Sequence, residues 1–280
     1  YMKNSNNRTR RVNMEKERID VLLFERGLAE SREKAKRIIM EGIVFVDDKK
    51  IDKPGEKVDI NSNIVVKKDP LTYVSRGGLK LEKAIKVFGI DLKNKTAMDI
   101  GASTGGFTDC MLQNGVKKVY AIDVGYGQLA WKLRNDPRVI VKERTNIRYV
   151  TLGDIGEKVD FISIDVSFIS LKLVLPVAKK LLKNNGYIMA LVKPQFEAGR
   201  DKVGKKGLVK DKKIHIEIIE DIIQFCESIE LKAIDLDFSP ITGSTGNIEY
   251  LLYISNALNN ECIDKQLIVQ VVENAHNALY

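Results

Sequence analysis

From residue 73 onward, short runs of strand-forming residues alternate with amphipathic stretches of helical period. Thr96–Gly101, Lys118–Asp123, Val139–Lys142, Val159–Asp165, Tyr187–Lys193, Leu231–Phe238 and Ile248–Ile254 read as strands. Gly106–Gln113, Gly127–Arg134, Leu171–Leu182 and Lys212–Ile229 read as the helices between them. A helix between two strands returns the chain to the end of the sheet where it began. The pattern therefore predicts an α/β domain with a mostly parallel seven-stranded sheet, closed by two strands near enough in sequence to pair as a hairpin.

The segment before it follows a different pattern. Ile19, Leu22 and Leu23 recur at helical spacing up to Gly27, and Ser31 is placed to cap a second helix that buries Ala35, Ile38 and Ile39. After Gly42 the period becomes two: Ile43 and Phe45 lead into the turn Asp47-Asp48-Lys49-Lys50, and Val58-Asp59-Ile60 and Ile64-Val65-Val66 form further short strands. Residues 15–67 thus read as a small α+β domain after a basic, disordered tail at 1–14, with 68–75 as linker and 76–280 as the α/β domain. The two helices carry Arg18, Arg26, Arg32, Lys34, Lys36 and Arg37. Such a cluster suits phosphates, but spacing alone favours a solvated helix face.

The first strand of the larger domain runs into Asp99-Ile100-Gly101-Ala102-Ser103-Thr104-Gly105-Gly106-Phe107. Glycines at a strand-to-helix turn let backbone approach a ligand at the carboxyl edge of a Rossmann-like sheet. The spacing is Gly-x-x-x-Gly-Gly, and Ser103 stands where a dinucleotide fingerprint needs its second glycine. That disfavours a pyrophosphate and with it hydride transfer. Asp123, at the end of the second strand, is placed to accept hydrogen bonds from two ribose hydroxyls, and Asn146 to meet an adenine edge. A tight turn and a strand-end carboxylate are the plainer alternatives.

The fourth strand ends Asp165-Val166-Ser167-Phe168, without the prolines of enzymes that methylate base amino groups. Cys110, Cys226 and Cys262 lack the proline context of a cytosine-C5 nucleophile. Those two acceptor classes are thereby disfavoured; a ribose hydroxyl, a poor nucleophile, would need a base or a strong polariser. Lys193, in Leu191-Val192-Lys193-Pro194-Gln195-Phe196, is the candidate. Nearby positive charge from a sulfonium and from Lys80 favours its neutral amine, whereas Asp165 and Glu249 favour the ammonium.

The contexts SRGGLKL, SIDVSF, LVKPQFE and GNIEYLL resemble those of the Lys-Asp-Lys-Glu tetrad of FtsJ-like ribose 2′-O-methyltransferases. The stretch from Arg18-Ile19-Asp20 through Ser31-Arg32 and Gly42 to Val58 is similar to the S-four-like RNA-binding domain, with Asp47-Asp48 where the usual turn is Asn-Gly. The combination resembles the TlyA family, often labelled hemolysin A. The resemblance implies an S-adenosylmethionine-dependent methyltransferase that modifies ribosomal RNA, with cytidines of either subunit as family targets. It implies catalytic roles for Lys80, Asp165, Lys193 and Glu249. Cofactor contacts fall on Asp99, Gly101, Ala102, Ser103, Thr104, Gly105, Gly106, Phe107, Asp123, Asn146 and Asp165. Contacts to RNA or ribosomal subunits fall on Arg18, Ser31, Arg32, Lys36, Arg37 and Arg76.

Bulk properties agree with such a chain. Lys and Arg outnumber Asp and Glu by 46 to 38, an excess compatible with a polyanionic partner. Three widely spaced cysteines and two histidines fit neither a disulfide framework nor a structural zinc, so no metal is expected. The N-terminus lacks the apolar core of a signal peptide, and no apolar run approaches the ~20 residues that span a bilayer, so no membrane partner is expected and a cytoplasmic location fits. The glycine- and lysine-rich segment 197–207 reads as a phosphate-contacting lid or as a solvated loop. Asp264–Ala278 reads as a closing helix that packs on the sheet or on a second copy. A membrane-active hemolysin, or an RNA-binding assembly factor on an inactive fold, are the rival functions.

Overall fold

The computed structural model describes residues 15–40, 42–66, 72–199, 202–204, 207–257 and 262–280. The expected basic tail at 1–14 and part of the expected lid lie outside them. The chain divides into two compact units, Tyr1–Leu71 and Thr72–Tyr280.

In the first unit β1 (Lys16–Arg18) leads into α1 (Ile19–Glu25) and α2 (Arg32–Met40), followed by β2 (Val44–Val46), β3 (Lys49–Ile51), β4 (Lys57–Asp59) and β5 (Ile64–Val66). β1 pairs with β4, and β3, β2 and β5 form a separate antiparallel sheet. Ile19, Leu23, Ala35, Ile39 and Val44 are fully buried between helices and strands. Gly27 ends α1 in the left-handed region, as its position predicts. Two details differ from the sequence reading. Arg18 belongs to β1 rather than to a helix, and Lys49 and Lys50 belong to β3 rather than to the turn. Asp47 and Asp48 alone make the turn, at φ 48° and 63°, the paired left-handed conformation of a two-residue hairpin that Asn-Gly ordinarily supplies.

The second unit opens with α3 (Gly78–Phe88), then β6 (Thr96–Ile100), α4 (Gly106–Gln113), β7 (Lys118–Ile122), α5 (Trp131–Arg134), β8 (Val139–Lys142), α6 (Leu152–Ile155), β9 (Val159–Ile164), α7 (Leu171–Leu181), β10 (Leu182–Val192), α8 (Pro194–Glu197), α9 (Lys212–Ser228), β11 (Lys232–Phe238), β12 (Tyr250–Ser255) and α10 (Lys265–Leu279). Tyr73 is buried in this unit and the Val74 amide donates to Asp109, so residues 73–75 belong to the unit rather than to a linker. The helical expectation at 127–134 shrinks to Trp131–Arg134, since Gly127 takes φ 70°.

The sheet order is β11-β12-β10-β9-β6-β7-β8, parallel from β10 to β8, with β12 antiparallel to both of its neighbours. Both faces are covered, which is why the central strands are almost wholly apolar. On one face Leu81 and Ala84 of α3 pack with Phe107 and Met111 of α4; on the other α7, α9 and α10 bring Leu175, Ile219, Ile222 and Val272. From β6 the chain builds outward to β8, then returns to lay β9 on the far side of β6. That reversal opens a crevice at the carboxyl ends of β6 and β9, where α/β sheets bind ligands.

Candidate active site

Two adjoining spaces, both lined by Gly101, Ser103 and Asp165, occupy this crevice. The larger, about 470 Å³, is walled by Ile100, Ile122, Val124, Ile147, Val166 and Ile169 and carries the polar groups of Asp123, Asn146 and Asp165. A smaller chamber of about 120 Å³ lies between Ser75 and Gly77 on one side and Gly101, Ser103, Thr104 and Asp165 on the other. Ala102, Gly106 and Phe107 also line it. A mostly apolar cleft of this size with a few convergent polar groups suits a small organic cofactor.

The glycine loop owes its shape to backbone crowding. Gly101 has φ 86°, and a Cβ there would lie 2.2 Å from the Asp165 carbonyl oxygen. Gly105, at φ 97°, faces Leu129 and Leu133 rather than the cleft, so its contribution is close packing. Asp99 likewise departs from the expected cofactor contact. Its carboxylate is fully buried, accepting from the Thr108 amide at 2.9 Å, the Thr108 hydroxyl at 2.7 Å and the Ser163 hydroxyl at 3.1 Å. It pins the start of α4 to the sheet, and burial pushes its carboxyl up to about 7.

Asp123 does face the cleft. Its oxygens accept the Ser103 and Gly125 amides, both at 2.7 Å, which fixes the carboxylate and leaves acceptor capacity on each oxygen. Asn146 is exposed at the rim, its Oδ1 accepting the Arg148 amide at 3.1 Å.

Beside the cleft, four charged side chains form two pairs. Lys80 Nζ lies 2.5 Å from Glu249 Oε2, and Lys193 Nζ lies 2.5 Å from Asp165 Oδ1. Lys80, Lys193 and Glu249 are buried and Asp165 is half-buried against the cleft. Burial works against the Lys80 ammonium, but the Asp165 and Glu249 carboxylates outweigh it and hold its pKa above the ordinary lysine value, with Arg76 opposing them. The two pairs thus form one electrostatic cluster fed by α3, β9, β10 and the turn before β12.

Several residues at this site were not expected from sequence. Ser167 Oγ accepts from Lys193 Nζ at 3.2 Å. Glu197 accepts from the Ser170 hydroxyl at 2.6 Å and the Leu171 amide at 2.8 Å, tying the turn after Lys193 to the segment after Asp165. Phe168, 91% exposed at φ 63°, meets the Phe196 ring at 4.9 Å between centroids. An exposed aromatic held in the left-handed region is a signal readable only in three dimensions.

In the first unit Arg18 and Arg32 both contact Asp20, and Lys36 lies 3.7 Å from Glu33. Arg37 is exposed in the last turn of α2. Ser31 spends its oxygen accepting the Lys34 amide at 3.1 Å, so the structure gives it the role of N-cap. Arg76 sits near Lys80 in the second unit. Among the described residues no cluster able to hold a metal ion occurs, and no helix is long and apolar enough to cross a membrane.

Residues 73–256 match the FtsJ-like methyltransferase family, and residues 17–64 match the S4 domain. A Bacillus subtilis protein provisionally named an rRNA methyltransferase is 56% identical, over 94% of this chain and 95% of that protein. The 16S/23S rRNA (cytidine-2′-O)-methyltransferase TlyA of Mycobacterium tuberculosis is 40% identical over 94% of this chain and 97% of its own. A solved structure of a Streptococcus thermophilus protein provisionally named a hemolysin superposes with TM-score 0.76 at 48% identity, covering 95% of this chain and 97% of that one. The chain belongs to the FtsJ-like methyltransferases and, among them, to the TlyA family.

Proposed function

We propose that the chain transfers a methyl group from S-adenosylmethionine to a ribose 2′-hydroxyl of ribosomal RNA, with cytidine as the target nucleotide. The observation that carries this reading is the pair of lysine–carboxylate contacts, Lys193 with Asp165 and Lys80 with Glu249, at the edge of a cleft that suits the cofactor. The relatives named for cytidine-2′-O methylation support the acceptor, and the S4 domain supports RNA as its carrier. A cytoplasmic location follows from that substrate.

The residues fit the cofactor. Asp123 retains acceptor capacity for ribose hydroxyls, Val124, Ile147 and Ile169 offer apolar walls for a purine, and Gly101 lines both spaces without a side chain. When bound, the cofactor supplies an electrophilic methyl group on a sulfonium.

Lys193 Nζ would hold the acceptor 2′-hydroxyl and, in its neutral amine form, would take its proton: the O–H bond breaks as an N–H bond forms, while the oxygen takes the methyl group that the sulfonium gives up with its S–C bond. Asp165 and Ser167 fix the position of Nζ. Lys80, paired with Glu249, also attracts the Asp165 carboxylate by charge. Phe168 provides an exposed ring on which a base can stack, a contact worth about 1–3 kcal/mol.

Incubation with labelled S-adenosylmethionine and ribosomal subunits or naked ribosomal RNA tests the reading. Label is expected in RNA with the wild-type chain and lost with Lys193→Ala. Absence of label from every RNA tried, with cofactor binding intact, would instead support an RNA-binding protein on an inactive fold.

A further inference from the structure

Among the described residues of the first unit, Asp20 is the only charged side chain fully withdrawn from solvent. The carboxylate is held beneath two guanidinium groups, and the hydrogen bond from Arg18 outweighs the cost of its desolvation and holds its pKa below the ordinary aspartate value. Arg18 approaches it side-on, Nε at 2.9 Å from Oδ1 and Nη2 at 3.1 Å from Oδ2, while Arg32 Nη2 reaches the same Oδ2 at 3.4 Å. Both arginine side chains are about half exposed.

This arrangement orders the arginines without using them up. The contact with Asp20 engages Nε and one edge of Nη2 on Arg18 and a single nitrogen on Arg32. The remaining N–H groups of each fork stay available for an anion. Arg26 serves differently, both Nη atoms donating to the Ile60 and Ser62 carbonyl oxygens. The two ordered guanidinium groups share one oxygen of Asp20 and so stand side by side, a spacing suited to the non-bridging oxygens of a single phosphodiester.

We propose that Asp20 is a positioning residue for RNA recognition, fixing Arg18 and Arg32 as one preordered pair that receives a backbone phosphate. The proposal rests on the RNA-binding reading of the first unit. It makes a prediction opposite in sign to simple charge counting. Asp20→Asn removes a negative charge, so affinity for RNA would rise if positive charge alone mattered. If preorganisation matters, two long side chains must be ordered on binding and affinity falls about tenfold.

The test uses the full chain, naked ribosomal RNA and thermal unfolding as a check of the fold. Asp20→Asn is expected to bind about tenfold more weakly and to raise KM for RNA by a similar factor, with kcat at saturating RNA kept. A folded Asp20→Asn variant that binds as tightly as wild type, or more tightly, overturns the proposal. Should that variant fail to fold, Arg18→Lys keeps the charge but not the fork, and the same weakening is expected; unchanged affinity there also overturns it. The triple variant Asp20→Asn, Arg18→Ala, Arg32→Ala leaves no buried charge and tests the underlying reading. Wild-type affinity in that variant would refute RNA binding by this face, whereas loss in the triple variant without loss in Asp20→Asn would refute only the role of Asp20.

Discussion

Gly101→Ala tests how tightly the glycine loop and the proposed catalytic cluster are joined. A Cβ at this position would stand 2.2 Å from the carbonyl oxygen of Asp165, and ordinary contact begins near 3.4 Å, so one backbone must retreat by about 1.2 Å. The neighbour is main chain at the end of β9, which cannot rotate away as a side-chain tip would. The methyl group also forces a non-glycine residue into φ 86°, at a cost of about 1–2 kcal/mol. Because Asp165 holds Lys193, the displacement carries over to the proposed proton acceptor, and misplacement by about 1 Å costs on the order of 100-fold in rate. The variant should therefore stay folded with a lower melting temperature and lose about 100-fold in kcat, while its affinity for RNA is kept. Steady-state methyl incorporation into RNA, with RNA binding measured separately, reads both quantities. Wild-type kcat in Gly101→Ala would refute the coupling of the loop to Asp165.

Lys80→Met leaves Glu249 buried without its partner, which should cost about 3–5 kcal/mol of stability in denaturant unfolding and abolish methyl transfer. The further change Glu249→Gln should restore most of the stability and none of the activity; restored activity would remove the pair from the mechanism. Phe168→Ala should raise KM for RNA about 10-fold or more without altering the melting temperature, because the ring is exposed. His215 is fully buried between Tyr250 and the Val209 carbonyl oxygen, and burial lowers its pKa from 6.5 to about 4. As pH falls through 6.5 the unfolded chain takes up the proton first, so this contribution to stability is full above 6.5 and lost on the way to about 4. The stability difference between wild type and His215→Gln should shrink by about 3 kcal/mol over that window, and a pH-independent difference would show that His215 is not held neutral.

Local features were the legible ones. The alternation of strands and helices, the Gly27 stop and the capping Ser31 all follow from residues within a turn or two of one another. The helix Gly78–Phe88 was not among those read from the sequence, and its first residue is small of necessity: a Cβ on Gly78 would meet the Tyr73 ring at 2.4 Å. Four short contexts pointed to Lys80, Asp165, Lys193 and Glu249, which the fold brings into two ion pairs. The choice of which lysine faces which carboxylate was not legible, because Lys80 and Glu249 lie 169 positions apart and only the sheet order brings them together. Asp99 misled for a related reason. A strand-end carboxylate next to a glycine loop looks the same in sequence whether it opens on a ligand or, as here, turns inward to Thr108 and Ser163. Asp20 stood in the quoted Arg18-Ile19-Asp20 start, but burial beneath two arginines is a property of the folded unit alone.

The chemical position of the transferred methyl group tests the central claim most directly. After methylation with labelled cofactor, the RNA is hydrolysed in alkali, which needs a free 2′-hydroxyl to cleave the adjacent phosphodiester. The account predicts label in an alkali-resistant dinucleotide whose 5′ residue is cytidine, and none with Lys193→Ala. Label released on a base in a mononucleotide would contradict it, because the cluster of Lys80, Asp165, Lys193 and Glu249 would then be acting on the wrong atom.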